Sequence, residues 1–156
     1  MGTKIPFGAA DWQQTHVDLY LKTDGAEGHY VDFTPAGGTA ETPCLILKVK
    51  GRKSGGTKLI PLIYGEDGAS YVIVASKGGA PENPAWFLNL QADPNVAIQV
   101  GDRKLAVVAK VVAGEQRQTL YDMMSHVYAP YIEYQAKTPR QIPVVVLEPK
   151  GEIASL

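Results

Sequence analysis

The chain holds one cysteine, Cys44, in 156 residues. A single thiol excludes an internal disulfide and any metal site built on clustered cysteines. A reducing, cytoplasmic setting is the expectation. Charge of one sign is also lacking: 15 Lys and Arg stand against 16 Asp and Glu, a formal net charge of −1. The protein as a whole is therefore no polyanion binder, and no nucleic-acid partner is expected. No apolar run approaches the ~20 residues that cross a bilayer. The opening residues, MGTKIPFGAADW, contain no signal-peptide core. Their Met-Gly start is not a myristoylation signal, because Pro6 stands where Ser or Thr is favoured. His16, His29 and His126 are scattered without ligand spacing, so no metal is expected. Neither a Gly-x-Ser-x-Gly elbow nor a pair of acids placed for general acid–base work is present.

What positive charge there is gathers in one place. Lys48, Lys50, Arg52, Lys53 and Lys58 fall within KVKGRKSGGTK, which holds no acid. Gly51, Gly55 and Gly56 interrupt them, and apolar runs flank the stretch, CLILKV before and LIPLIY after. Two strands joined by a cationic, glycine-rich turn is the simplest reading. Glycine lets the backbone turn tightly and expose successive N–H groups, while Arg and Lys add full charge, so the turn suits a phosphate or carboxylate. A solvated hairpin tip has the same composition and stays open as an alternative. A P-loop is excluded. Gly56 is followed by Thr57, Lys58 and a strand, where that motif needs Gly-Lys-Ser/Thr ahead of a helix.

Residues 1–10 read as a loose arm and 11–22 as an amphipathic helix, with Trp12, His16, Leu19 and Tyr20 on one face. Such a helix docks on the body, covers a site or touches a membrane surface; it lacks the basic face of a membrane-surface helix. Residues 24–42 read as a long loop. Strand-type runs follow at 44–50, 59–64, 70–76, 96–100, 104–112 and 144–147. Gly65-Glu66-Asp67-Gly68 marks a hairpin between the second and third, and Pro61 marks the second as an edge strand or a bulge. Asn83 reads as the N-cap, and Pro84 as the first residue, of a helix carrying Trp86, Phe87 and Leu90. Another helix spans 115–127, broken or restarted at Pro130. With no repeat and no linker, residues 1–156 read as a single domain, 1–23 its arm and helix and 43–149 its core. The class is α+β, mainly β. Short connections favour antiparallel pairing in a small closed or partly open barrel.

A second cationic loop, KGGAPE at 77–82, joins the strand ending at Ser76 to the helix at Asn83, whose amino end is electropositive. Tyr128, Tyr131 and Tyr134 share one face if their segment is helical. Core packing and a site wall both fit that spacing, since tyrosine offers a flat apolar body and a hydroxyl. Cations, glycines and aromatics without an acid–base set are the equipment of a site whose large anionic cofactor does the chemistry.

Together these residues make the chain resemble the deazaflavin-dependent nitroreductase family, the coenzyme F420-dependent quinone reductases and nitroreductases of the split β-barrel flavin-binding type. The resemblance covers about 43–149. It is carried by GRKSG (51–55), IPLIY (60–64), YVIVASKGGAPENPAWFLNLQADPNV (71–96), the three tyrosines and IPVVVLEP (142–149), in that order. It implies a six- to seven-stranded antiparallel split β-barrel with flanking helices, and reduced coenzyme F420 as hydride donor. By matching motif, Arg52, Lys53, Ser54 and Lys58 would contact the coenzyme's phosphate and acidic tail. Lys77 would add charge, and Gly78 and Gly79 would allow close backbone approach. Pro61, Leu62, Ala75 and Ser76 would lie against the ring system; Asn83, Trp86 and Asn89 would shape the pocket or orient the loop. Ile63, Ser76, Tyr128, Tyr131 and Tyr134 would line the substrate space, with Ser76, Tyr131 or Tyr134 donating a hydrogen bond or relaying a proton. Ile63 stands where some relatives carry a tyrosine, which bears on substrate range. The acidic tail gives the cation cluster a partner that FMN, with its single phosphate, does not supply.

The function this resemblance implies is hydride transfer from reduced coenzyme F420 to a quinone, enone or nitroaromatic. An FMN-binding split-barrel oxidoreductase and a non-catalytic deazaflavin carrier are the alternatives. A monomer or homodimer with peripheral membrane contact through the N-terminal helix completes the expectation.

Overall fold

The computed structural model describes residues 2–156. The chain runs through helix α1 (Trp12–Lys22), strands β1 (Tyr30–Val31), β2 (Thr42–Lys50), β3 (Thr57–Ile63), β4 (Gly65–Asp67) and β5 (Ser70–Val74), helix α2 (Ala85–Ala92), strands β6 (Asn95–Val100) and β7 (Arg103–Val111), helices α3 (Gly114–Val127) and α4 (Pro130–Ala136), and strand β8 (Val144–Glu152). The strands form one sheet in the order β1-β2-β6-β7-β8-β5-β4, with β3 on β2. Every pairing between named strands is antiparallel. The sheet curls into a split barrel that is mainly β.

Strand geometry explains why the sequence is apolar at every position of 71–75 and 144–147. Successive side chains point to opposite faces, and both faces are covered. Ile73, Val145 and Leu147 join the inner cluster with Leu45, Leu47, Leu90 and Ile98. Val72, Val74, Val144 and Val146 join an outer cluster with Leu120, Tyr121, Met124 and Tyr131, which come from α3 and α4.

Two strands, β1 and β4, are too short to read from sequence, so the sheet has eight strands against the expected six to seven. β4 also corrects the hairpin. β5 pairs with β4 across a turn at Gly68 and Ala69, and with β8, but not with β3. Gly65 opens a strand because α3 crosses it: a Cβ there would lie 2.6 Å from Met124 Sδ. β3 pairs with β2 alone, so Pro61, opposite Ile46, sits on an edge strand as its missing N–H requires. The ladder irregularity lies elsewhere, between Ala106 and Val107.

The arm is not loose. Gly2 N donates to Ala40 O at 3.1 Å, Thr3 N to Tyr30 O at 2.7 Å, and Asp32 N to Thr3 O at 2.8 Å. Ile5 is buried. The 24–42 segment likewise holds β1 and a 3₁₀ turn, Thr34–Ala36. α1 docks on the barrel. Val17 and Tyr20 meet Ile46, and the Tyr20 hydroxyl donates to Cys44 O (2.9 Å) and accepts from Gly101 N (2.7 Å). Among the described residues, no helix is long and apolar enough to cross a membrane.

His16, also on the docked face, is 1 % exposed. Its Nε2 donates to Gly28 O at 2.9 Å, and Nδ1 is buried without a partner. Burial lowers its pKa, outweighing the hydrogen bond to Gly28; burial lowers that of His29 too. The folded state therefore holds neutral rings where the unfolded chain, below about pH 6.5, binds protons. Stability is fully present above that value and falls as pH drops below it. We expect the melting temperature to fall between about pH 7.5 and 5.5, and His16→Gln to fall less over the same interval. An equal fall in the variant would assign the loss to other groups.

Candidate active site

A groove of about 890 Å³ follows the unpaired edge of β3, and every residue from Thr57 to Ile63 lines it. The Tyr64 amide donates to Pro43 O at 3.1 Å. Amides alternate sides along an antiparallel strand. Those of Leu62, Ile60 and Lys58 thus also face β2, and those of Ile63, Leu59 and Thr57 face the groove. Pro61 has none. Across from β3 stand Ser76, Lys77 and Gly78, then Pro84, Ala85, Trp86 and Asn89 at the start of α2. Tyr128, Tyr131 and Tyr134 close the end, continued by Phe33, Phe7 and Trp12.

A second hollow of about 390 Å³ is lined by Lys50, Gly51, Arg52, Lys53, Ser54, Gly55, Asn89, Ala92 and Asp93. Asn89 lines both spaces. Its Oδ1 accepts from Arg52 N at 3.1 Å and from Arg52 Nη1 at 2.9 Å, which fixes the guanidinium at their junction. The β2–β3 turn does not expose a row of free amides. Gly51 N donates to Gly56 O, Gly55 N to Gly51 O, and Gly56 N to Ser54 Oγ. Its glycines shape the turn, and its side-chain cations are what it offers an anion.

The loop after β5 is unusual in its backbone. Lys77, Gly78 and Gly79 have φ of 48, 64 and 82°. Gly78 lines the groove, but Gly79 turns away from it and lies against α4, where a Cβ would stand 2.7 Å from Tyr134 O. Ala75 is fully buried in the inner cluster rather than in the groove wall. Lys77 Nζ is 2.9 Å from Glu82 Oε1. Asn83 does not cap α2: Pro84 occupies the N-cap position, without a side-chain cap bond. Asn83 Oδ1 accepts instead from Arg140 Nη1 at 2.7 Å, since a guanidinium is a stronger donor than a helix-end amide.

The tyrosines do not share one helix: Tyr131 and Tyr134 lie on α4, while Tyr128 is the extended residue that ends α3. The three rings nevertheless meet, with centroids 5.0 to 6.2 Å apart. The Tyr128 and Tyr134 hydroxyls are 3.3 Å apart. Burial raises the pKa of Tyr131 well above the usual tyrosine value, and that of Tyr128 likewise. Both hydroxyls stay protonated at neutral pH and are available as hydrogen-bond donors. Of the residues named from sequence, Lys58, Pro61, Leu62, Ile63, Ser76, Lys77, Gly78, Trp86, Asn89 and the three tyrosines meet in the groove. Arg52, Lys53 and Ser54 meet in the hollow. Sequence reasoning missed the lining by Phe7, Trp12, His16 and Phe33, and missed Arg140. No periodic pattern links those aromatics, but an arginine four residues ahead of the apolar run 144–147, as in RQIPVVV, is a signal worth reading.

A split barrel whose open edge carries an apolar floor, a tyrosine wall and a cationic annex has the shape and charge that suit a planar, anionic coenzyme, the equipment of a cofactor-dependent oxidoreductase. The family described as F420H(2)-dependent quinone reductase matches residues 12–149 of the chain. The protein belongs to that family and is an oxidoreductase that uses reduced coenzyme F420. A Mycobacterium tuberculosis F420H(2)-dependent quinone reductase is 38% identical over 135 residues, 85% of this chain and 86% of that protein. A solved F420-H2 dependent reductase is 40% identical, with a TM-score of 0.64 over 68% of this chain and 94% of its own. Another solved relative, described as a domain-swapped dimer, is 36% identical, with a TM-score of 0.68 over 86% of this chain and 94% of its own.

Proposed function

We propose that the groove binds reduced coenzyme F420 along β3 and presents it to a quinone between Ser76 and the tyrosine wall. The observation that carries this is Asn89, which joins the apolar groove to the cationic hollow and holds Arg52 between them. Two adjoining spaces that share Asn89, one lined largely by apolar and aromatic side chains and the other by cations, fit a planar ring bearing a phosphate and an acidic tail. On this reading Arg52, Lys53, Ser54 and Lys58 hold the anionic portion and Lys77 adds charge. Pro61, Leu62 and Trp86 bear on the ring system, and the groove-facing amides of Leu59 and Ile63 offer donors along its length. Ala75, Gly79, Asn83 and Asn89 keep the flanking loops in shape.

The bound coenzyme supplies a hydride. The chain's part is proximity, orientation and donors for the charge that develops on the acceptor oxygen. Ser76, Tyr131 and Tyr134 are the residues we assign to that contact, with the Tyr128–Tyr134 hydroxyl pair able to pass a proton. Ile63, Tyr128, Tyr131 and Tyr134 bound the acceptor's space. Enones and nitroaromatics share the electrophilic carbon or nitrogen that this arrangement serves, and we infer that they are secondary acceptors. The arm, α1 and the barrel act as one domain, since Phe7 and Trp12 complete the groove wall. The assembly we infer is a homodimer, a reading supported by the relative described as a domain-swapped dimer.

Fluorescence titration with oxidised coenzyme F420 and with FMN, followed by oxidation of reduced F420 with menadione, tests the reading. Tighter binding of F420 than of FMN and turnover with menadione are expected. Preference for FMN would move the protein to the flavin-binding side of the fold. F420 binding without turnover would make it a carrier.

A further inference from the structure

Ser76, Lys77 and Gly78 line the groove from a loop whose backbone is unfavourable at Lys77. Lys77 bears a side chain yet has φ of 48°, while Gly78 and Gly79 continue in the left-handed region that glycine takes freely. A lysine in that region persists only when its surroundings impose it.

The imposing group is Arg140. Its Nη2 donates to Ser76 O at 2.7 Å and its Nε to Ala80 O at 2.8 Å, on either side of the left-handed run. Nη1 donates to Asn83 Oδ1 at 2.7 Å and to Ala75 O at 3.3 Å. One planar fork thus ties down both ends of the loop. Arg140 is in turn held from behind. Its carbonyl accepts from Gln135 Nε2 at 2.8 Å, on α4. Gln135 Oε1 accepts from Arg117 Nη2 at 2.7 Å and from Ile142 N at 3.0 Å. Arg117, 4 % exposed, also donates to Ile142 O at 2.7 Å and lies over the Tyr121 ring at 4.4 Å. These acceptors are backbone carbonyls and the side-chain amides of Asn83 and Gln135, not carboxylates, which suits positioning better than charge pairing.

We propose that Arg140, anchored through Gln135 by Arg117, is the positioning residue that sets Ser76 and Lys77 against the tyrosine wall during hydride transfer. This rests on the function proposed above. Gln135 lies one residue from Tyr134, so the same brace holds both sides of the acceptor space in one frame.

The test uses the full-length protein and three variants, Arg140→Lys, Gln135→Leu and Ser76→Ala, with menadione as acceptor. Lysine keeps the charge but cannot span Ser76 O and Ala80 O as a fork does. We expect Arg140→Lys to slow single-turnover oxidation of bound, reduced F420 by about tenfold or more, as displaced reacting groups do. The Kd for oxidised F420 should change less than the rate does, because Arg52, Lys53 and Lys58 are untouched and Lys77 alone of the cations assigned to the coenzyme is displaced. In a Ser76→Ala background the same change should slow the reaction much less, since the group it positions is gone. A rate per coenzyme-loaded site equal to wild type, or an equal loss in both backgrounds, would overturn the proposal. Gln135→Leu cuts the link from Arg117 but leaves Arg140's own guanidinium contacts in place, and guards against a misfolded Arg140 variant. A slower reaction at unchanged Kd supports the brace, and an unchanged rate sinks it. Absence of menadione turnover in the wild type overturns both readings, whereas wild-type turnover with unaffected variants overturns this one alone.

Discussion

Changing Arg52 and Lys53 together to alanine weakens coenzyme F420 binding by about a hundredfold or more. The two residues lie on the β2–β3 turn and line the hollow beside Asn89. The turn's own amides are largely spoken for, so these side chains carry its affinity for anions. A charge-assisted hydrogen bond contributes ~1.5–3 kcal/mol. Both residues are solvent-exposed, which favours the lower end, and two such bonds at about 1.5 kcal/mol each give roughly the hundredfold stated. Arg52 contributes more per bond because Asn89 already holds its guanidinium, and less side-chain freedom is lost on binding. Fluorescence titration at two salt concentrations measures this. Parent affinity should fall as salt rises, and that of the double variant should fall less. Binding within threefold of the parent would remove the hollow from the coenzyme site.

The second large effect is on stability. Gly79→Ala should cost about 3 kcal/mol or more, while Gly78→Ala costs about 1 kcal/mol. Both glycines have positive φ, 82° and 64°, so both substitutions incur left-handed strain. Around Gly78 nothing lies within 4 Å of an added Cβ, whereas at Gly79 it would meet backbone, Tyr134 O at 2.7 Å and Tyr134 Cα at 3.0 Å. A flexible side chain can move aside; a helix backbone moves as a body. α4 must therefore shift, and Tyr131 and Tyr134 shift with it. Urea denaturation reads the difference, and turnover with menadione should fall in the Gly79 variant beyond what the unfolded fraction explains. Equal costs for the two glycines would mean that α4 yields freely.

Much of the barrel was legible because strands advertise themselves by alternation and by the turns between them. The 44–50 and 59–64 runs pair as expected around the cationic turn, and Pro61 marked an edge strand for the reason that holds in the structure. The misreadings have physical causes. β1 and β4 are two and three residues long, too short to show alternation, and the crossing of α3 at Gly65 is not encoded in local composition. The arm looked loose because its backbone bonds go to residues about 30 positions away, Tyr30, Asp32 and Ala40 among them. Asn83 has the residue type of an N-cap, and a guanidinium from 57 positions on competed for it.

The site divides in the same way. Its candidate residues were legible locally: cations interleaved with glycine at 51–58, a glycine pair at 78–79, and tyrosines three residues apart. Type and spacing suffice for such features because hydrogen bonding, charge and backbone freedom belong to single residues and their near neighbours. Only the tertiary structure decided that the cationic turn and the apolar groove share Asn89. Only it decided that aromatics of the arm extend the tyrosine wall, and that Arg117 and Arg140 brace the loop between them. Those relations depend on which distant segments the curled sheet brings within a hydrogen bond's reach, and a one-dimensional pattern carries no such distances.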